Sequence, residues 1–144
     1  MSDTPRYVYH GSQYKLDVIM PQQARGGSEM ESKLAIYAAE TIDAVIPFAL
    51  PIRWYPDAPD GKRDFTCEDG KTTLVYGSIN PNGVGYVYKL KAESFYKIEN
   101  WQWVSEQACT PVEIIEIKVK DYWHTIQFSD EAKAIQQKLY GYTQ

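Results

Sequence analysis

The chain has 144 residues, enough for one domain with a real core and too few for two ordinary ones. Its net charge is -4 with no block of like charge, which argues against a protein that grips a phosphate backbone along its length. No stretch approaches the roughly 20 apolar residues that span a bilayer, and the N-terminus lacks the basic-then-apolar order of a signal peptide. Cytoplasmic residence with no membrane partner is the resulting expectation. Cys67 and Cys109 are far apart and lack C-x-x-C spacing, which suggests neither a disulfide framework nor a metal site. Twelve Tyr, four Trp and four Phe suit strands, and they also suit pockets that stack flat ligands.

In chain order, Arg6 to His10 reads as a strand with Tyr7 and Tyr9 on one face and Val8 on the other, and Gly11 frees the backbone to turn away. An apolar cluster (Leu16, Val18, Ile19, Met20) and a polar, glycine-containing loop around Arg25 follow. Leu34 to Ala38 is a second strand. Thr41 is placed to cap a helix running to Leu50, with Asp43 in its first turn, where the helix dipole favours an acid. Ile42, Val45, Ile46, Ala49 and Leu50 give that helix one buried face, and Pro47 should kink or shorten it.

Residues 51 to 71 are rich in Pro, Asp and Gly and read as one long irregular excursion. Thr72 to Ile79 and Val84 to Leu90 are strand-like, joined by the turn sequence Asn80-Pro81-Asn82-Gly83. Trp101 to Ser105 and Val112 to Val119 are further strands. The latter alternates Ile115, Ile117 and Val119 with Glu116, Lys118 and Lys120. Ser129 or Asp130 caps a final helix through Leu139, with Ala132, Ile135 and Leu139 on one face. His124 has no chemical context and reads as structural. About six strands with few helices, early or terminal, predict an α+β domain over residues 1-144 rather than alternating βαβ units. The absence of a G-x-G-x-x-G or P-loop sequence sets aside the nucleotide-binding folds built on them.

Two segments carry chemistry: Tyr9-His10-Gly11-Ser12, and Ile36-Tyr37-Ala38-Ala39 with Asp43-Ala44 and Phe48-Ala49 on the helix after it. Together they resemble the ADP-ribosyltransferase superfamily, in the His-Tyr-Glu branch of diphtheria-type toxins and poly-ADP-ribose polymerases. The likeness covers residues 7 to 50 and then rests on the order of the later strands. It implies a split β-sheet core with a few flanking helices, and NAD as cofactor. It also implies that His10 hydrogen-bonds a ribose hydroxyl, that the Gly11 backbone holds the nicotinamide amide, and that Tyr37 stacks on the nicotinamide ring. Ser12 would support the adenosine-side ribose. Arg25 is a partner for the pyrophosphate on charge and position alone.

The superfamily's catalytic glutamate sits early on a late strand, where it stabilises positive charge developing on the ribose, as carboxylates do in glycoside cleavage. In this register that position holds Gln102, which keeps the shape and loses the charge. By analogy with the loss of one oxyanion-hole donor, the missing term is worth roughly 3 to 4 kcal/mol, or about 10²–10³ in rate. Glu106, sharing a face with Gln102 if the strand runs straight through, and Glu113, heading the next strand, are the other catalytic candidates. Three readings stand at this point. One is an NAD-dependent transferase acting on a protein or nucleic-acid acceptor. Another is a module that binds NAD, ADP-ribose or a protein without turnover. The last is a plain interaction domain. Gln102 favours the module over the enzyme.

Overall fold

A computed structural model describes residues 5–23, 34–55, 59, 65–68, 70–98 and 102–141. In chain order the elements are β1 (Tyr7–Ser12), β2 (Gln22–Gln23), β3 (Leu34–Ala39), α1 (Ile42–Ala49), β4 (Ile52–Trp54), β5 (Phe65–Glu68), β6 (Lys71–Leu74) and β7 (Gly77–Ile79). They continue with β8 (Val84–Lys91), β9 (Tyr96–Lys97), β10 (Gln102–Ser105), β11 (Glu113–Lys118), α2 (Val119–Tyr122), β12 (Ile126–Phe128) and α3 (Asp130–Tyr140). This is a mixed α+β fold. Its main sheet is antiparallel in the order β11-β8-β1-β3-β10-β9, with β2 added to β3. Two small sheets, β12-β6-β5 and β4-β7, complete it. No helix among the described residues is long and apolar enough to cross a membrane.

The main sheet has a core on each side, as the alternation of β1 dictates. Val8 is buried with Ile36, Ala38, Tyr88 and Leu90, whereas Tyr9 packs with Ala39, Val45, Ala49 and Val87 under α1. The two faces are joined by ladders of unequal length. β1 pairs with β8 over all six of its residues, from Tyr7↔Lys91 to Ser12↔Tyr86. With β3 it shares one registered pair, Tyr9↔Ala39. Past that pair the edges of β1 and β3 are not laddered together, and a seam opens beside His10.

Gly11 does not end the first strand as expected; β1 runs on through it to Ser12. The glycine is needed for close approach instead. A Cβ at Gly11 would lie 2.5 Å from the Val45 carbonyl oxygen, and one at Gly85 would lie 1.6 Å from that of Ala49. Backbone of α1 therefore rests directly on β1 and β8, which only residues without a side chain permit. Pro47 lies inside α1, which spans eight residues, and Thr41 occupies the cap position without a side-chain cap bond.

Other expectations change too. The strand expected over Thr72 to Ile79 is two strands in different sheets, broken at Val75-Tyr76. The turn at Asn80–Gly83 forms, with the Gly83 N–H donating to the Asn80 carbonyl at 2.9 Å, but it connects β7 to β8 without pairing them. The segment 51–71 contains β4 and β5 rather than being irregular throughout. Ser129 caps α3 by accepting from the Ala132 N–H. Leu139, expected on the buried face of α3, is 56% exposed, and Gln136 is fully buried.

Gln136 is buried because it acts as a strand partner. Its Oε1 accepts from the Ile79 N–H at 2.9 Å and its Nε2 donates to the Ile79 carbonyl at 2.7 Å. On the other side of the β4–β7 ribbon, where Ile52 faces Ile79, the Gln13 Nε2 donates to the Ile52 carbonyl at 3.0 Å. Two glutamine amides thus satisfy the outward backbone groups of a two-stranded ribbon that would be marginal alone.

Gln136→Leu strands both backbone groups of Ile79 and should cost about 2–4 kcal/mol in chemical denaturation, against little for an exposed control such as Gln127→Leu. Gly85→Ala should cost about 1–3 kcal/mol or more by overpacking α1, read as a lowered melting temperature.

Candidate functional site

Of the residues singled out in the sequence, His10 and Tyr37 meet at the seam. His10, on β1, turns its ring toward β3, and its Nδ1 lies 2.8 Å from the Tyr37 carbonyl oxygen. A carbonyl can only accept, so Nδ1 carries the proton and donates. The ring is half-buried, and burial pushes its pKa below the ordinary histidine value of about 6.5, an effect that the bond to Tyr37 partly offsets. His10 is therefore neutral at pH 7, with Nε2 left as an acceptor that has no partner among the described residues. This gives the seam a fixed tautomer and a single lone pair to offer.

Behind His10 stands Tyr88, its direct neighbour on β8, with ring centroids 6.5 Å apart. The Tyr88 hydroxyl is fully committed. It donates to the Tyr14 carbonyl and accepts from the Leu16 N–H, both at 2.6 Å. Burial raises its pKa, partly countered by the Leu16 bond. Tyr88 therefore pins the segment that leaves β1 and supports the His10 ring. Its role was not foreseen from sequence; the alternation of Tyr86 and Tyr88 on a strand was the available signal.

Alternation assigns the remaining candidates to faces. Tyr37 and Ala39 share one face of β3, and their β10 partners, Val104 and Gln102, share it with them. Gln102 thus lies diagonal to Tyr37 across adjacent strands. His10 leaves β1 on the other side, with Ala38 and Tyr88, and reaches Tyr37 through the backbone oxygen at the open seam. Gln102 is 9% exposed, and its Oε1 makes no hydrogen bond among the described residues. A buried acceptor without a donor costs about 1–3 kcal/mol, so it marks a place where a donor belongs. Next to it the Trp103 Nε1, at 6% residue exposure, is likewise unpartnered.

The two carboxylate candidates lie elsewhere. Glu113 and Gln102 occupy the two ends of one cross-strand row, Gln102–Ala39–Tyr9–Lys89–Glu113. Four strand spacings separate them, about 19 Å in all. Glu113 is exposed and lies beyond β8, on the side of β1 away from the seam. β10 does not run straight through Glu106. It ends at Ser105, whose hydroxyl accepts from the Gln107 N–H and turns the chain, leaving Glu106 exposed. The Ser12 Oγ accepts from the Tyr14 N–H, and Gly11 is pressed against α1. His124 is exposed in a 3₁₀ turn. Arg25 lies outside the described residues, as does Trp101. No group of three metal-ligating side chains occurs among the described residues. Comparison of the chain with family models, curated proteins and solved structures gave no match.

The lowered His10 pKa has a definite sign. Above about pH 6.5 both folded and unfolded chains hold a neutral imidazole, and the burial of His10 is without penalty. As pH falls through that value the unfolded chain takes up the proton first, so stability declines until the folded pKa is reached. Unfolding free energy measured from pH 7.5 to 5 should fall for the wild type and fall less steeply for His10→Gln, which retains a donor for Tyr37.

Proposed function

We propose that the seam between β1 and β3 binds NAD or ADP-ribose, and that the chain is a divergent ADP-ribosyltransferase-like protein acting as a binding module. β1 and β3 are neighbours in one sheet that share a single registered pair, and so short a ladder supports a sheet parted at that point. The observation that carries the reading is the Nε2 of a neutral His10, an acceptor without a partner among the described residues, in a ring held by the Tyr37 backbone. A fixed acceptor suits a ligand rich in hydroxyl donors, which is what a ribose presents.

The same residues favour holding over cutting. Cleavage of the nicotinamide bond builds positive charge on the ribose, and an amide oxygen stabilises that charge far less than a carboxylate. Glu106 and Glu113 do not share the seam with Gln102, so neither supplies the missing charge in this arrangement. Transfer of ADP-ribose to a protein or nucleic-acid acceptor is the second reading, and Gln102 is the residue that separates it from the first. Among the groups that the resemblance assigns to NAD, Ser12 is the poorest fit, its hydroxyl being engaged by Tyr14.

Calorimetric titration of the wild type with NAD and with ADP-ribose should show binding, weakened about tenfold or more by His10→Ala. Gln102→Glu should bring nicotinamide release about 10²–10³ above the wild type. Failure of both ligands to bind, with no response to His10→Ala, would remove the dinucleotide reading. Nicotinamide release by the wild type at the rate of the Glu variant would remove the module reading in favour of the enzyme.

A further inference from the structure

At the opposite end of β1 from the seam lies an open groove of about 420 Å³, lined by Pro5, Arg6, Tyr7, Lys91, Ala92, Glu93 and Phe95. Its electrostatics run against those of the chain. Although acids outnumber bases overall, Arg6 and Lys91 line this groove beside Tyr7, and Lys89, outside the lining, reaches over the same ring. The Arg6 guanidinium stands 5.6 Å from the Tyr7 ring centroid, and the Lys89 ammonium 4.4 Å from it. Lys91 is the direct cross-strand neighbour of Tyr7.

None of the three cations makes an ion pair among the described residues. This is notable for Lys89, because Glu113 is its cross-strand neighbour on β11. Its ammonium lies over the tyrosine ring instead. Glu93 is the one carboxylate in the lining, so positive charge is in excess. Like charges gathered about a single carboxylate among the described residues still repel one another, and the face of one ring offsets that only in part.

We infer that this groove is a second binding site, for a small molecule bearing a phosphate monoester. A phosphate monoester carries about -1.5 to -2 at neutral pH and three strong acceptor oxygens, enough to engage an arginine fork and an ammonium group together. The groove's volume lies within the range of small-molecule sites, so it has room for an organic group beside the phosphate. The buried Ala92 and Phe95 give that group an apolar contact. The assignment does not rest on the dinucleotide reading, since the groove uses none of His10, Tyr37 or Gln102.

Phenyl phosphate is a suitable probe, with benzoate as a control of similar ring and lower charge, followed by chemical shifts of the intact chain. Saturable one-to-one binding is expected, shifting signals of Tyr7 and Ala92. It should weaken about tenfold in Arg6→Gln/Lys91→Gln, checked for folding by its melting temperature, and remain unchanged in His10→Ala. Benzoate should bind distinctly more weakly. No saturation, equal affinity in the folded double variant, or equal affinity for benzoate would each overturn the assignment. Competition by His10→Ala-sensitive NAD binding would overturn its independence from the seam.

Discussion

The arrangement depends on how closely α1 approaches the sheet. Its backbone lies on Gly11 and Gly85, neighbouring positions on β1 and β8 where a methyl group would collide with a carbonyl oxygen. That contact fixes which face of β1 the helix covers, and strand alternation does the rest. With Gly11 under the helix, Tyr9 must face it too, and His10 must leave from the other side toward Tyr88. β3 joins β1 only at Ala39, just before α1 begins. The side from which His10 leaves β1 follows from a steric fact about two glycines.

Much of this architecture is legible in the sequence because its strands alternate cleanly. Tyr7-Val8-Tyr9 and Ile115-Glu116-Ile117 each declare two faces, and the structure places them as the pattern reads. Ser129 likewise announces the start of α3. What could not be read is long-range. Nothing near Gly11 reveals that its missing side chain serves a helix thirty-odd residues on rather than a turn. Thr72 to Ile79 has continuous strand propensity, and its division between two sheets is set by partners on β12 and β4. Leu139 and Gln136 exchange their expected places because a backbone edge, invisible to helical periodicity, wanted an amide.

The candidate site divides in the same manner. His10 and Tyr37 are visible as neighbours-to-be, since short motifs at strand ends carry local information. Whether Gln102, Glu106 or Glu113 stands with them is a question of sheet order and register, and neither is encoded in the local spacing of acids. The ladder answers it by putting Gln102 on the strand beside Tyr37 and Glu113 at the far end of the row. His10 and Gln102 thereby offer their acceptors on opposite faces of the sheet, while Arg6 and Lys89 stand over Tyr7 toward the other end of β1.

The amide of Gln136 has a reach beyond its own helix. It holds Ile79; Ile79 faces Ile52; and the carbonyl of Ile52 holds Gln13, the residue immediately after β1. Each link in this relay is a backbone group satisfied by one side chain, with little redundancy. Undocking of the last helix would free the ribbon from one flank and slacken its grip on the other. Helix α3 is thus tied through the ribbon to the exit from β1, a second hold beside the one that Tyr88 exerts on the same segment.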